Sequence, residues 1–149
     1  MLHVVLVEPE IPQNTGNIAR TCLAAGARLH LVEPLGFEID GAALRRAGMD
    51  YWAQCDVRRW PSLEALRAEA PDGRFFFLTT KARTSYWEAL FADGDYLVFG
   101  RETRGLPMSL LAAEPRNLLT IPMQAGARSL NLATSVGIVL YEAARQIRK

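Results

Sequence analysis

Short continuous apolar runs alternate with helical patterns along this chain. Leu2–Val7 is apolar almost throughout and of strand length. Thr15–Ala25 reads as a helix with Asn14 as its cap, and Leu29–Val32 as a second strand. Asp40 can cap a short helix through Arg46. Val57–Trp60 follows as a strand, and Ser62 can cap a helix to Ala70. Asp72-Gly73 and Asp93-Gly94 are turn dipeptides, each ahead of a strand, Arg74–Thr79 and Tyr96–Phe99. Pro107 suits the first position of a short helix, and Leu118–Ile121 is the last strand. The last helix has the clearest pattern. Leu132, Val136, Val139, Leu140, Ala143 and Ile147 recur at helical spacing from about Ser129 to Arg148.

Strands that are apolar throughout and separated by helices are buried on both faces, as in a parallel sheet between two helical layers. The expectation is an α/β fold in one domain, residues 1–149, a length that buries a core without disulfide or metal. In such sheets ligands bind in the loops beyond the carboxyl ends of the strands. That rule selects Glu8–Asn17, Thr79–Thr84, Gly100–Pro107 and Pro122–Asn131, where Gly, Pro, Asn and Arg concentrate.

Composition removes several function classes. No run reaches the ~20 apolar residues of a membrane span, and the apolar start lacks the basic flank of a signal peptide. The expected location is the cytoplasm, with no membrane partner. Cys22 and Cys55 form no CxxC or Cys/His cluster, so they read as buried thiols, and no metal is expected. His3 and His30, in or beside strands, read as core or edge residues. The net charge of +1 neither supports nor excludes a nucleic-acid partner, although nearly all the positive charge is Arg, the better phosphate fork. No G-x-G-x-x-G or G-x-S-x-G occurs. Gly100 and Gly105 have P-loop spacing, but Leu106 and Pro107 stand where that loop needs Lys and Ser or Thr.

Methyl transfer from a sulfonium donor fits what is left. It needs no metal or protein nucleophile, only donor and acceptor held in line and a cation for the developing alkoxide. The residues also resemble a family. Asn14-Thr-Gly-Asn-Ile-Ala-Arg20, Phe99-Gly-Arg-Glu-Thr-Arg-Gly-Leu-Pro107 and Ile121-Pro-Met with Ser129-Leu-Asn-Leu132 are similar to the three ordered motifs of SPOUT RNA 2′-O-methyltransferases. Val7-Glu-Pro-Glu-Ile-Pro-Gln-Asn14 and Leu44-Arg-Arg-Ala-Gly-Met-Asp-Tyr51 resemble the TrmL type, which methylates the wobble nucleotide of tRNA.

The resemblance implies a trefoil knot in the carboxyl half, with the last helix threaded through a loop formed upstream. It implies S-adenosylmethionine as donor, a homodimer, and the anticodon stem-loop of tRNA as partner, with a leucine tRNA nucleotide 34 as target. By the same resemblance Leu78 touches the adenosine, Gly100 lets backbone approach the donor, and Ile121 and Met123 wall the adenine. Ser129 and Leu130 open the last helix beside the cofactor, and Asn131 holds the site or the acceptor ribose. Glu102 braces the loop, and Arg20 serves the 2′-hydroxyl with Asn14 and Asn17 beside it; apart from the resemblance, Arg101 and Arg104 can extend the RNA-facing charge. Many relatives carry Pro where this chain has Arg101.

Each residue has a plainer reading: turn glycines at Gly100 and Gly105, helix caps at Asn14 and Ser129, core at Leu78 and Ile121, solvated charges at Glu102 and Arg20. Arginine stays protonated in proteins and is a poor general base. Arg20 is therefore expected to bind a phosphate oxygen or the alkoxide. Arg20, Arg45, Arg46, Arg101 and Arg104 are candidate phosphate contacts, and Tyr141 and Val136 candidate dimer contacts. Rival readings are another tRNA nucleotide or ribosomal RNA as target, and a knot protein that binds RNA without catalysis.

Overall fold

The computed structural model describes residues 1–39, 42 and 50–148. Among the described residues there are six strands: β1 (His3–Val7), β2 (Arg28–Val32), β3 (Val57–Trp60), β4 (Phe75–Leu78), β5 (Tyr96–Phe99) and β6 (Leu118–Leu119). They form one sheet in the order β3-β2-β1-β5-β4-β6, every pairing parallel. The main helices are α1 (Pro12–Ala25), α2 (Leu63–Glu69), α3 (Met108–Ala113) and α4 (Leu132–Ile147). The expected α/β architecture is therefore present. The helix expected from Asp40 to Arg46 and the phosphate candidates Arg45 and Arg46 lie outside the described residues.

Alternation along β1 shows why its apolar run is unbroken. Val4 and Leu6 face a layer built from Ile18, Ala19 and Cys22 of α1 and Val136, Val139, Leu140 and Ala143 of α4. Val5 and Val7 face the opposite layer, with Leu63 and Leu66 of α2 and Leu111 of α3. Both faces are covered, so each position of the strand gains from leaving water. Edge strand β3 carries exposed Arg58 and Arg59, which discourages pairing with another sheet.

Several expectations need correction. α1 begins at Pro12 with Ile11 as its N-cap, and Asn14 lies inside the first turn instead of capping it. α4 begins at Leu132, capped by Asn131. β6 stops at Leu119 because Thr120 turns to pair with the 84–86 segment: its N–H donates to the Thr84 carbonyl at 2.8 Å, and its carbonyl accepts from Tyr86 N–H at 2.9 Å. Val136 is fully buried, so it serves the core and not a partner. Cys22 is buried as expected, whereas Cys55 is only half-buried. Ser62 does cap its helix, accepting from Ala65 N–H at 3.1 Å.

Candidate active site

Beyond the carboxyl ends of β4, β5 and β6 lies a cavity of about 390 Å³, within the size range of small-ligand sites. Three of the four segments selected from the sequence line it. Leu78, Gly100, Ile121, Met123, Ser129 and Leu130 all border the cavity, as do Glu102 and Arg104. Arg20, Asn14, Asn17 and Asn131 do not. The wall is apolar at Leu78, Phe99, Ile121 and Leu132 and rich in main chain at 100–105.

Gly100 is required by the fold of the loop itself. A methyl group there would stand 2.1 Å from the Gly105 carbonyl carbon and 2.2 Å from the Leu106 nitrogen. The loop folds back onto its own strand end, so the crowding at Gly100 is with chain and not with ligand. Arg101 N–H donates to the Gly105 carbonyl at 3.3 Å, and Gly105 N–H returns to the Arg101 carbonyl at 3.0 Å. Gly105 closes this turn at φ +67°, where a side chain is strained.

Carboxylates fasten the loop to the start of α1. Glu102 accepts from Glu10 N–H at 2.9 Å, Ile11 N–H at 2.8 Å and the Asn14 side-chain amide at 3.3 Å. It sits at the positive end of the α1 dipole and satisfies donors the helix leaves unpaired. The carboxylate of Glu10 accepts from Thr103 N–H at 3.1 Å and Thr103 Oγ1 at 2.8 Å. Those bonds hold its carboxyl below the usual range. The Arg101 guanidinium pairs with Glu8 at 2.6 Å, so part of its charge is met within the chain. Arg104 and Arg128, both exposed, have no carboxylate partner among the described residues, and Lys81 Nζ meets only the Met108 thioether, at 2.9 Å.

Asn131 is committed at both ends of its amide. Its oxygen accepts from Thr134 N–H at 3.2 Å as the α4 cap, and its nitrogen donates to Asn14 Oδ1 at 3.2 Å. A continuous network, Glu102–Asn14–Asn131, thus joins the 100–107 loop, α1 and α4. Asn14 is buried, bonded to Glu102 on one side and Asn131 on the other. Asn17 and Arg20 share the exposed face of α1, three residues apart. Ser129 and Leu130 are exposed loop residues ahead of α4.

Sequence reasoning missed Glu8 and Glu10 as loop anchors, Lys81 and Arg128 as lining cations, and Tyr51, over whose ring Arg20 lies. The anchors stood in a selected segment, but their partners are 93 residues away. Among the described residues no group of three His, Cys, Asp or Glu is placed to hold a metal ion, and no helix is long and apolar enough to cross a membrane.

Known proteins resemble this chain over nearly its whole length. The SpoU rRNA methylase family matches residues 1–141. A tRNA (cytidine(34)-2′-O)-methyltransferase of Aeromonas hydrophila is 51% identical over 149 residues, covering 99% of this chain and 95% of that protein. A solved structure described as giving insight into 2′-OH methylation of C/U34 on tRNA is 50% identical, with a TM-score of 0.89, covering 98% of this chain and 95% of that one. An AdoMet-bound rRNA methyltransferase from Sinorhizobium meliloti is 30% identical, with a TM-score of 0.82, covering 99% of this chain and 57% of that one. On a family match that spans residues 1–141, the chain belongs to the SpoU methylase family.

Proposed function

We propose that this chain transfers a methyl group from S-adenosylmethionine to the ribose 2′-hydroxyl of tRNA nucleotide 34, a cytidine or a modified uridine, in leucine tRNAs. One observation carries the reading: a carboxyl-end cavity, bordered by the second and third of the ordered motifs, in a chain 51% identical to a tRNA (cytidine(34)-2′-O)-methyltransferase. The cavity fits the donor chemically. Leu78, Ile121 and Met123 offer an apolar wall to a flat base, the 100–105 loop offers main chain, and Lys81, Arg104 and Arg128 can meet a carboxylate. When bound, S-adenosylmethionine supplies a methyl group already activated on sulfonium.

The protein's own work is then positioning and charge. Glu102, Asn14 and Asn131 hold the loop and both helices in register. The Arg20 guanidinium donates to the 2′-oxygen as negative charge grows on it, while a phosphate or water takes the proton. Arg20 does not border the cavity of its own chain, and Leu23 and Tyr141, 38% and 47% exposed, lie on α1 and α4, which pack together. These features support a homodimer in which Arg20 serves the partner's cavity. The return of the chain from edge strand β6 to α4, against α1 and β5, supports the trefoil knot. Action on tRNA goes with a cytoplasmic location.

The test is in-vitro methylation with purified protein. Ribose methylation at nucleotide 34 is expected, and tRNA carrying 2′-hydrogen there should accept nothing, since the hydroxyl is the nucleophile. Methyl on a base, on another nucleotide or on ribosomal RNA only would overturn the target. Absence of binding heat with both S-adenosylmethionine and its demethylated product would overturn the reaction. Arg20→Ala should leave donor binding intact and slow turnover by about one to two decades.

A further inference from the structure

Arg20 is an exposed side chain on a helix face, and such a side chain ordinarily samples many rotamers. Here its guanidinium carbon lies 5.6 Å from the centroid of the Tyr51 ring, inside the range of cation–π attraction. Tyr51 is itself held. Its hydroxyl donates to the Gly16 carbonyl on α1 at 2.8 Å. It belongs to a short 3-10 turn, Asp50–Gln54, that packs along α1. Just after that turn, Cys55 Sγ reaches the Ala19 carbonyl at 3.5 Å. Burial pushes the Tyr51 phenol up, so the hydroxyl keeps the proton it donates. The ring is thus tied to the same helix that carries the arginine, one turn earlier.

We infer that Tyr51 is a positioning residue for Arg20, a shelf that holds the guanidinium extended from α1 before RNA arrives. The ring does not touch the reacting atoms. It narrows the orientations Arg20 must give up when it meets the 2′-oxygen, so its contribution belongs in turnover and not in donor binding. The inference rests on the reading of Arg20 given above.

The experiment is a double-mutant cycle on the purified full-length enzyme with tRNA and S-adenosylmethionine. Tyr51→Leu is expected to lower kcat about three- to tenfold, with the donor Kd from calorimetry within about twofold of wild type. Tyr51→Phe keeps the ring and should recover most of kcat. In an Arg20→Ala background, Tyr51→Leu should change kcat by less than about twofold, because its effect passes through Arg20. Equal losses in both backgrounds, or Tyr51→Leu at wild-type kcat beside a slow Arg20→Ala, would overturn the inference and leave the reading of Arg20 standing. Full activity in Arg20→Ala would overturn both. Should Tyr51→Leu fail to fold, Tyr51→Gln carries the same comparison, and Tyr51→Phe with kcat as low as either would show that the ring is not what matters.

Discussion

Two regions of this molecule gather polar side chains, and they do so in opposite ways. On one face of the sheet the Trp60 indole N–H donates to His30 Nδ1 at 3.0 Å. His30 Nε2 must then carry the proton it shares with His3 Nδ1 at 2.9 Å. Aromatic rings close over this chain: His3 stacks on Tyr96 at 4.1 Å, and Tyr96 on Phe75 at 4.4 Å. The groups are neutral and come from neighbouring strands. Beyond the strand ends, Glu8, Glu10 and Glu102 are charged, tie segments some 90 residues apart, and hold a cavity open. The first arrangement fills space. The second stiffens a loop around space left for a ligand, and it differs from the first in carrying charge and in joining loops instead of paired strands.

The largest effect is expected where the loop has no room. Gly100→Ala should cost about 3 kcal/mol or more and abolish donor binding, read by chemical denaturation and calorimetry. Unchanged donor affinity would mean the loop has another way to close. Next, Glu102→Gln replaces one accepting oxygen with an amide that faces a backbone donor. It should cost about 1–3 kcal/mol and weaken the donor by about tenfold. A stable variant with normal affinity would remove the network from the account.

Acidification probes the other region. Burial pushes His3 down to about 4 and His30 down to about 3 from an ordinary 6.5. The unfolded chain therefore binds protons that the folded chain refuses. Stability should be full above pH 6.5 and fall as the pH drops toward 4. A denaturation midpoint that stays flat through that window would show the histidines are not held neutral. The smallest effect is expected at Arg101. With its charge on half-exposed Glu8, Arg101→Met should cost less than about 1 kcal/mol and leave tRNA affinity within about twofold, whereas Arg104→Ala should weaken tRNA binding and flatten its salt dependence.

How legible each feature was in the sequence follows from how far along the chain its partner lies. β3 and β5 fall on Val57–Trp60 and Tyr96–Phe99 as expected, because a short apolar run bounded by turns is a local signal. The Ser62 cap was legible too, its partner lying three residues away. The start of α1 was not, since the carboxylate that serves it, Glu102, is 91 residues downstream of Ile11. Ser129 and Asn131 are both capping types, and only the folded loop shows that the Asn131 oxygen reaches the Thr134 N–H. The cavity-lining residues were named through resemblance, and the crowding at Gly100 could not be read from spacing, because it arises between the strand end and backbone that returns to it.

One ribose in tRNA is the proposed target of this chain. Mass-spectrometric mapping of ribose methylation in tRNA from cells with and without the gene tests it most directly. Loss of 2′-O-methylation at nucleotide 34 of leucine tRNAs alone is expected, restored by the wild-type gene and not by Arg20→Ala. Methylation at nucleotide 34 that persists without the gene, or a loss confined to another site, would contradict it.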